Sequence, residues 1–452
     1  ARDHAENLLP AGRLLRFLLL VLLVHGDEHV ARHGVDHGHE VLNLGCLRLN
    51  AFPTHPSEIP KIPCVSLRLM VCQNCALVQL NQTVPPDWMY RTYHYRSGVN
   101  ETMIAELQAI VEEASRVVGI SATDHVLDIG ANDGTLLSSY KTRGGGQWPH
   151  RTAVEPADNL QERLLPHCEV AIHDYFPTAH MLGHHQFKII TAIACAYDVE
   201  DPIVFFRGMR DVLRRDGIAI VQFQDFRQQI ACAAFDNICH EHLEYYTLSS
   251  LKGIVEQAGL KILHCQETPI NGGSLRVRLT HNDNRTYRID DSVRDQFEIE
   301  RRWNLSPEDI EKGNLSAFDT FRQRVEQAKL HIQATLDACH AAGAIVDVYG
   351  ASTKGNILLQ VMNVGPLLVR QAIDRSPEKH GLYTITGIPI VSEEVAKIDP
   401  ADCWLVPIWQ FRESALRRER WYLEGGGQMI FPLPSCEIVK ESWQLPLVRT
   451  EY

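Results

Sequence analysis

The chain has 452 residues, 45% of them apolar and 22% charged, which excludes a disordered or low-complexity protein and, at roughly 150 residues per domain, a single small domain. Its 44 lysines and arginines against 56 aspartates and glutamates give a formal charge of −12, and no basic patch relieves that repulsion, so no nucleic-acid partner is expected. The longest uncharged apolar run, Phe17 to Val24, falls far short of the roughly 20 residues that cross a bilayer, so no membrane association is expected either.

Residues 1–40 differ in character from the rest of the chain. An apolar block precedes His25, His29, His33 and His37 at every fourth position, with His39 behind them. A signal peptide would need a basic start and a small-residue cleavage site. A helical metal stripe is chemically possible, because i,i+4 histidines share a face. The preferred reading is that this segment, which starts on Ala1, has no part in the fold.

From residue 41 strand-like and helix-like segments alternate. Residues 101–118 and 201–217 have helical spacing, and 125–130, 151–156, 187–194 and 217–223 are short apolar strands. That alternation predicts a parallel sheet covered on both faces. A long helix is expected from Ser306, with Pro307 in its first turn and an apolar stripe of Phe318, Phe321, Val325, Ile332 and Leu336. Strands at 344–350, 367–374, 401–409 and 428–434 then predict a second, smaller α/β domain. Most of the twelve cysteines stand alone in apolar segments, where they behave as small hydrophobes. The Cys72/Cys75 pair reads as metal or redox in a reducing compartment, which favours the cytosol. Four ligands are normal for structural zinc and no second C-x-x-C is present, so the residues leave metal open.

Four strings carry chemistry. Val126-Leu127-Asp128-Ile129-Gly130-Ala131-Asn132-Asp133-Gly134 runs a strand into a glycine turn and an expected helix, where backbone can approach a ligand. Glu155 ends the next strand, placed to accept hydrogen bonds from both hydroxyls of a ribose. In Cys239-His240-Glu241-His242 the i,i+2 histidines suit general acid/base work better than a helical zinc site, because a carboxylate neighbour can fix a histidine tautomer. Asn271-Gly272-Gly273-Ser274 is a turn that serves a strand or a ligand equally well. Tyr349-Gly350-Ala351-Ser352-Thr353-Lys354-Gly355-Asn356 opens a helix with backbone N–H groups and a lysine, a combination that favours a phosphate.

In order, CQNCALVQL, YHYRSG (93–98), VLDIGANDG, ICHEHLEYY, NGGSLRV, YGASTKGN and the 372–390 segment resemble the sugar C-methyltransferases that act on nucleotide-linked 4-keto-deoxyhexoses. The resemblance implies an N-terminal zinc-ribbon-like module (41–90, incomplete here), a class I S-adenosylmethionine-dependent core (91–285), a helical connector (286–340) and a C-terminal Rossmann-like nucleotide-sugar domain (341–452). It implies His242 as the base that removes the proton next to the keto group, Glu241 as its acidic neighbour and Tyr95 near the substrate. Asp128, Gly130, Asn132, Gly134 and Glu155 are implied to hold S-adenosylmethionine. His240, Asn271, Lys354 and Asn356 are implied substrate contacts, and Cys72 and Cys75 metal ligands. Cys239 and Tyr197-Asp198 depart from the family pattern, since many sugar-modifying members carry Tyr where Cys239 stands. Two other readings compete: methylation of an oxygen or nitrogen of a sugar or other metabolite, and an inactive sugar-nucleotide-binding scaffold.

Overall fold

A computed structural model describes residues 38–140, 149–181 and 186–440. Apart from His39, the histidine-rich segment lies outside the described residues. Strand β1 (Gly38–Arg48) opens inside the stretch expected to have no part in the fold, and His39 accepts a hydrogen bond from the Gln73 amide at 2.6 Å. Antiparallel β2 (Cys64–Cys72) alternates buried and partly exposed residues, turning Val65, Leu67, Leu69 and Val71 inward as a half-buried strand should. Strand β3 (Val78–Leu80) completes the hairpin edge.

The central sheet forms from β4 (His125–Ile129), β5 (His150–Val154), β6 (Val170–Ile172), β7 (Phe187–Ile193) and β8 (Leu213–Gln224), all parallel. Strand β9 (Glu244–Tyr245) leaves to pair with β3; β11 (Ser274–His281) runs antiparallel to β8, and β10 (Leu260–Thr268), antiparallel to β11, points the same way as the parallel strands. Their spatial order is β10-β11-β8-β7-β4-β5-β6, so strand order reverses between β4 and β7, where an open α/β sheet leaves a crevice at its carboxyl ends. The α/β reading with a class I methyltransferase core holds. Helix α1 (Glu101–Val118) has the expected span, capped by the Asn100 side chain and stopped by Gly119 at φ 66°. Helix α2 (Pro202–Val212) stops short of the expected residue 217, because Leu213 already begins β8.

Two further expectations fail. After Gly134 there is only a 3-10 turn, Leu137–Ser139; the Ser138 and Ser139 hydroxyls bond back to the Thr135 carbonyl and compete with helical pairing. The long helix from Ser306 is two, α3 (Pro307–Glu311) and α4 (Ser316–Ala341), with Gly313 turning the chain between them at φ 76°. The expected stripe of α4 is buried. Phe318 and Phe321 meet Phe226 of the core, and Arg322 donates to the carbonyls of Glu40 and Val41. This helix is thus packed into the molecule and does more than connect.

A third sheet comes next: β12 (Val346–Tyr349), β13 (Ala372–Ile373), β14 (Ile390–Val391), β15 (Cys403–Leu405), β16 (Gln428–Phe431) and β17 (Glu437–Val439), with only β17 antiparallel. The expected strand 367–374 shrinks to two residues because the chain turns at Gly365 and leaves Leu367 in solvent. Helix α5 (Thr353–Val361) starts directly after β12, capped by Ser352. No helix among the described residues is long and apolar enough to cross a membrane.

Candidate active site

Where β4 ends, Gly130 takes φ 68°, and a Cβ there would lie 3.0 Å from Cys195, so the turn admits no larger residue without a shift. Asn132 follows at φ 54°, a conformation asparagine tolerates. Its backbone N–H donates to Glu155 Oε2 at 2.7 Å, and Ala157 N–H donates to Oε1 at 2.9 Å. The Asn132 side chain accepts from Ser97 N–H at 3.0 Å and donates to Tyr95 O at 3.1 Å, while Asp133 accepts from Gly98 N–H. Two strings that are far apart in sequence, YHYRSG and DIGANDG, are thereby latched together. Beneath them Asp128 accepts from Thr191 Oγ1 at 2.6 Å; burial, with some help from Glu155, pushes its carboxyl up to about 7. Burial also raises Glu155, against the two N–H bonds it accepts.

Asp128, Gly130, Asn132 and Glu155 line a cavity of about 300 Å³, shared with Tyr95, Asn271, Glu241, His242 and Lys354. His242 Nδ1 donates to Asn237 O at 2.9 Å, which leaves Nε2 as the ring's basic lone pair. Burial and the Lys354 charge hold its pKa down to about 3, so the ring is neutral. The Tyr197 ring meets it edge-on at 4.7 Å. Glu241 accepts from Asn50 Nδ2 at 3.3 Å, and burial pushes its carboxyl up to about 7. Asp198 shares this wall with one buried oxygen lacking a hydrogen-bond partner, and burial plus Glu241 raise it well above the usual carboxylate range. The donor set suits S-adenosylmethionine: a glycine turn, a carboxylate at the end of β5, and a wall of carboxyl groups and tyrosines of the kind that attracts a cation.

Several residues expected in the site lie outside its lining, and the expected metal ligands lack further partners among the described residues. Gly134 faces His167, whose Cβ would be 2.7 Å from an added Cβ, so its glycine serves packing. His240 points away; its Nε2 pairs with Val65 O of β2 at 3.1 Å. Asn356, 1% exposed, donates to Asn50 Oδ1 and Ala51 O and accepts from Ile385 N–H, which leaves nothing for a phosphate. Cys72 and Cys75 face each other across a turn, but no third His, Cys, Asp or Glu joins them among the described residues. The other two cysteines of the hairpin, Cys46 and Cys64, lie at the far end of β2, roughly 25 Å away at 3.3 Å per strand residue. The described residues therefore do not fit a four-coordinate zinc. Of the remaining expected contacts, Asn271 lines the cavity at φ 57°, its carbonyl held by Gln224 Nε2 at 2.8 Å. The glycines beside it have packing roles, Gly272 against Trp409 and Gly273 against Gln228.

Sequence reasoning missed Asn50, Tyr90, Tyr93 and Asp236. Asn50 ties three units together, donating to both Glu241 and Thr353 and accepting from Asn356. Tyr90 OH donates to the Glu241 carbonyl at 2.5 Å.

A methyltransferase domain model matches residues 95–265, and a model of the C-methyltransferase C-terminal domain matches 269–434. This chain is an S-adenosylmethionine-dependent methyltransferase. Its second match is to the C-terminal domain of C-methyltransferases, and the chain is similar to C-methyltransferase NovU of Streptomyces niveus. That relative is 25% identical over 382 residues, covering 82% of this chain and 87% of the relative. Among solved structures, an S-adenosylmethionine-dependent methyltransferase of Clostridium acetobutylicum (11% identity, TM-score 0.32) covers 39% of this chain and 92% of its own. Magnesium protoporphyrin IX methyltransferase of Synechocystis with bound S-adenosylmethionine (9%, TM-score 0.30) covers 40% and 79%.

Proposed function

We propose that this methyltransferase acts on carbon, at the position next to the keto group of a nucleotide-linked keto-deoxysugar, through an enolate. The observation that carries this reading is the His242 ring: neutral, locked in one tautomer by Asn237 O, and in the same cavity as the residues suited to the methyl donor. A carbon acid beside a ketone needs a positioned base. His242 Nε2 takes the proton, and the C–H electron pair becomes the enolate C=C bond. Glu241 and Tyr95 border the sugar.

Glu155 accepts from the ribose hydroxyls of the cofactor, the backbone at Gly130 lies alongside, and Asp128 underpins the turn. S-adenosylmethionine, when bound, supplies the methyl group from its sulfonium. Much of the rate comes from holding the two reactants in line. The cytosol is the proposed compartment.

The test is incubation of the protein with S-adenosylmethionine and a panel of nucleotide-linked 4-keto-deoxyhexoses. The proposal expects a product with a new C–CH₃ bond and loss of the α proton to solvent. A C–O–CH₃ or N–CH₃ product would overturn it in favour of heteroatom methylation, and failure to bind S-adenosylhomocysteine would favour a scaffold.

A further inference from the structure

Resting on that reading, we infer that Lys354, carried by the C-terminal unit, is a catalytic residue that holds the developing enolate oxygen, and is not a ligand for the nucleotide diphosphate. Lys354 stands in the first turn of α5 and reaches the cavity that His242 lines from the core. Among the described residues lining that cavity it is the sole lysine or arginine, set against five carboxylates: Asp128, Glu155, Asp174, Asp198 and Glu241. Burial raises Asp128, Glu155, Asp198 and Glu241, so the wall is only partly charged, but a single amine is too little to balance the two negative charges of a buried diphosphate. An enolate oxygen develops one charge, transiently, beside the base. Asn356, the partner that a diphosphate site on this helix would need, is spent on Asn50, Ala51 and Ile385.

Consecutive residues organise the lysine and the base. The Asn237 carbonyl anchors His242. Asp236, fully buried, accepts from Trp409 Nε1 at 2.8 Å and keeps its second oxygen without a hydrogen-bond partner; burial lowers the Lys354 amine from its ordinary range, and the Asp236 charge opposes that fall. Gln224, at the end of β8, steadies the amine with Oε1 at 3.4 Å and is itself fixed by its bond to Asn271 O. The lysine's positive charge also keeps His242 neutral before the substrate arrives.

In the step proposed, the α C–H bond breaks and its proton goes to His242 Nε2. The C–H pair becomes the C=C bond, and the carbonyl π pair moves onto oxygen, where a Lys354 N–H donates to it. Lys354 keeps its protons. The C=C pair then forms the C–CH₃ bond as the methyl–sulfur bond of the donor breaks and leaves its pair on sulfur, the oxygen pair restores the C=O bond, and His242 gives its proton to solvent.

The experiment uses the full chain with Lys354→Met and Lys354→Gln, the second keeping a hydrogen-bonding group should methionine destabilise the fold. Two quantities are read: exchange of the substrate α proton with deuterated solvent at saturating nucleotide-keto-sugar, and calorimetric affinity for uridine and thymidine diphosphate. Loss of one oxyanion donor slows reactions by roughly 10²–10³-fold. Exchange is expected to fall by that factor in both variants, with diphosphate affinity within threefold of wild type. Diphosphate affinity weakened tenfold or more, with exchange preserved at saturation, would overturn the assignment. If the wild type itself exchanges no α proton, the enolate reading fails; if wild type and both variants exchange alike, only the role of Lys354 fails.

Discussion

Replacing Glu155 by glutamine tests the cofactor turn at its most constrained point. Its two carboxylate oxygens accept N–H bonds from Asn132 at 2.7 Å and Ala157 at 2.9 Å. An amide offers one oxygen and one NH₂, so in either orientation one backbone N–H meets a donor. A hydrogen bond to a charged group contributes about 1.5–3 kcal/mol, and a buried N–H left unmet costs about 1–3 kcal/mol. Overlap between the two puts the stability loss at about 1.5–3 kcal/mol, visible as a lower urea midpoint. The same substitution turns one acceptor for the ribose diol into a donor. Losing that charged bond weakens S-adenosylhomocysteine binding by about 10- to 150-fold. Calorimetric titration measures it, and affinity within threefold of wild type would refute the placement of the ribose at Glu155.

Glu241→Gln should change the pH dependence of stability. Burial raises the Glu241 carboxyl from its ordinary 4.5 to about 7 in the folded chain, so the folded state binds the proton more tightly and loses stability as pH rises from about 4.5 to about 7. The stability of wild type relative to the variant should fall across that window by up to about 3 kcal/mol at 1.36 kcal/mol per unit, read from denaturation midpoints; a difference independent of pH would contradict it. Asn356→Ala should destabilise by about 2–4 kcal/mol through its lost buried hydrogen bonds while leaving S-adenosylhomocysteine affinity unchanged, which calorimetry checks. Asn50→Ala, which frees Glu241 and Thr353, should lower kcat about tenfold, roughly 1.4 kcal/mol, with the same cofactor affinity.

Much of this was legible because it is local. Helix α1 declares itself by its capping Asn100, its apolar stripe and the closing glycine. The strand–glycine–acid pattern of 126–155 is likewise contained in about 30 residues. What was illegible depends on partners far along the chain. His240 is held by Val65, Asn356 by Asn50, and Gly134 is a glycine because of His167; a motif scan cannot tell such packing from ligand binding. Asn50 carried no signal of its own, since its role exists only once three units meet. Lys354 was visible as a cation at a helix start, but its neighbours His242 and Asp236 were not, and they change the chemistry it suits. The break at Gly313 shows the same limit at a smaller scale: an apolar stripe that fits one helix also fits the second of two.

Whether His242 removes a proton from carbon can be read by incubating the protein with a nucleotide-linked keto-deoxyhexose in deuterated water, without methyl donor, and following the α position by NMR. Wild type should replace the α hydrogen with deuterium, and His242→Ala should lose this exchange by at least about 10²-fold, while both bind S-adenosylhomocysteine equally. Exchange at the wild-type rate in His242→Ala would show that another group is the base.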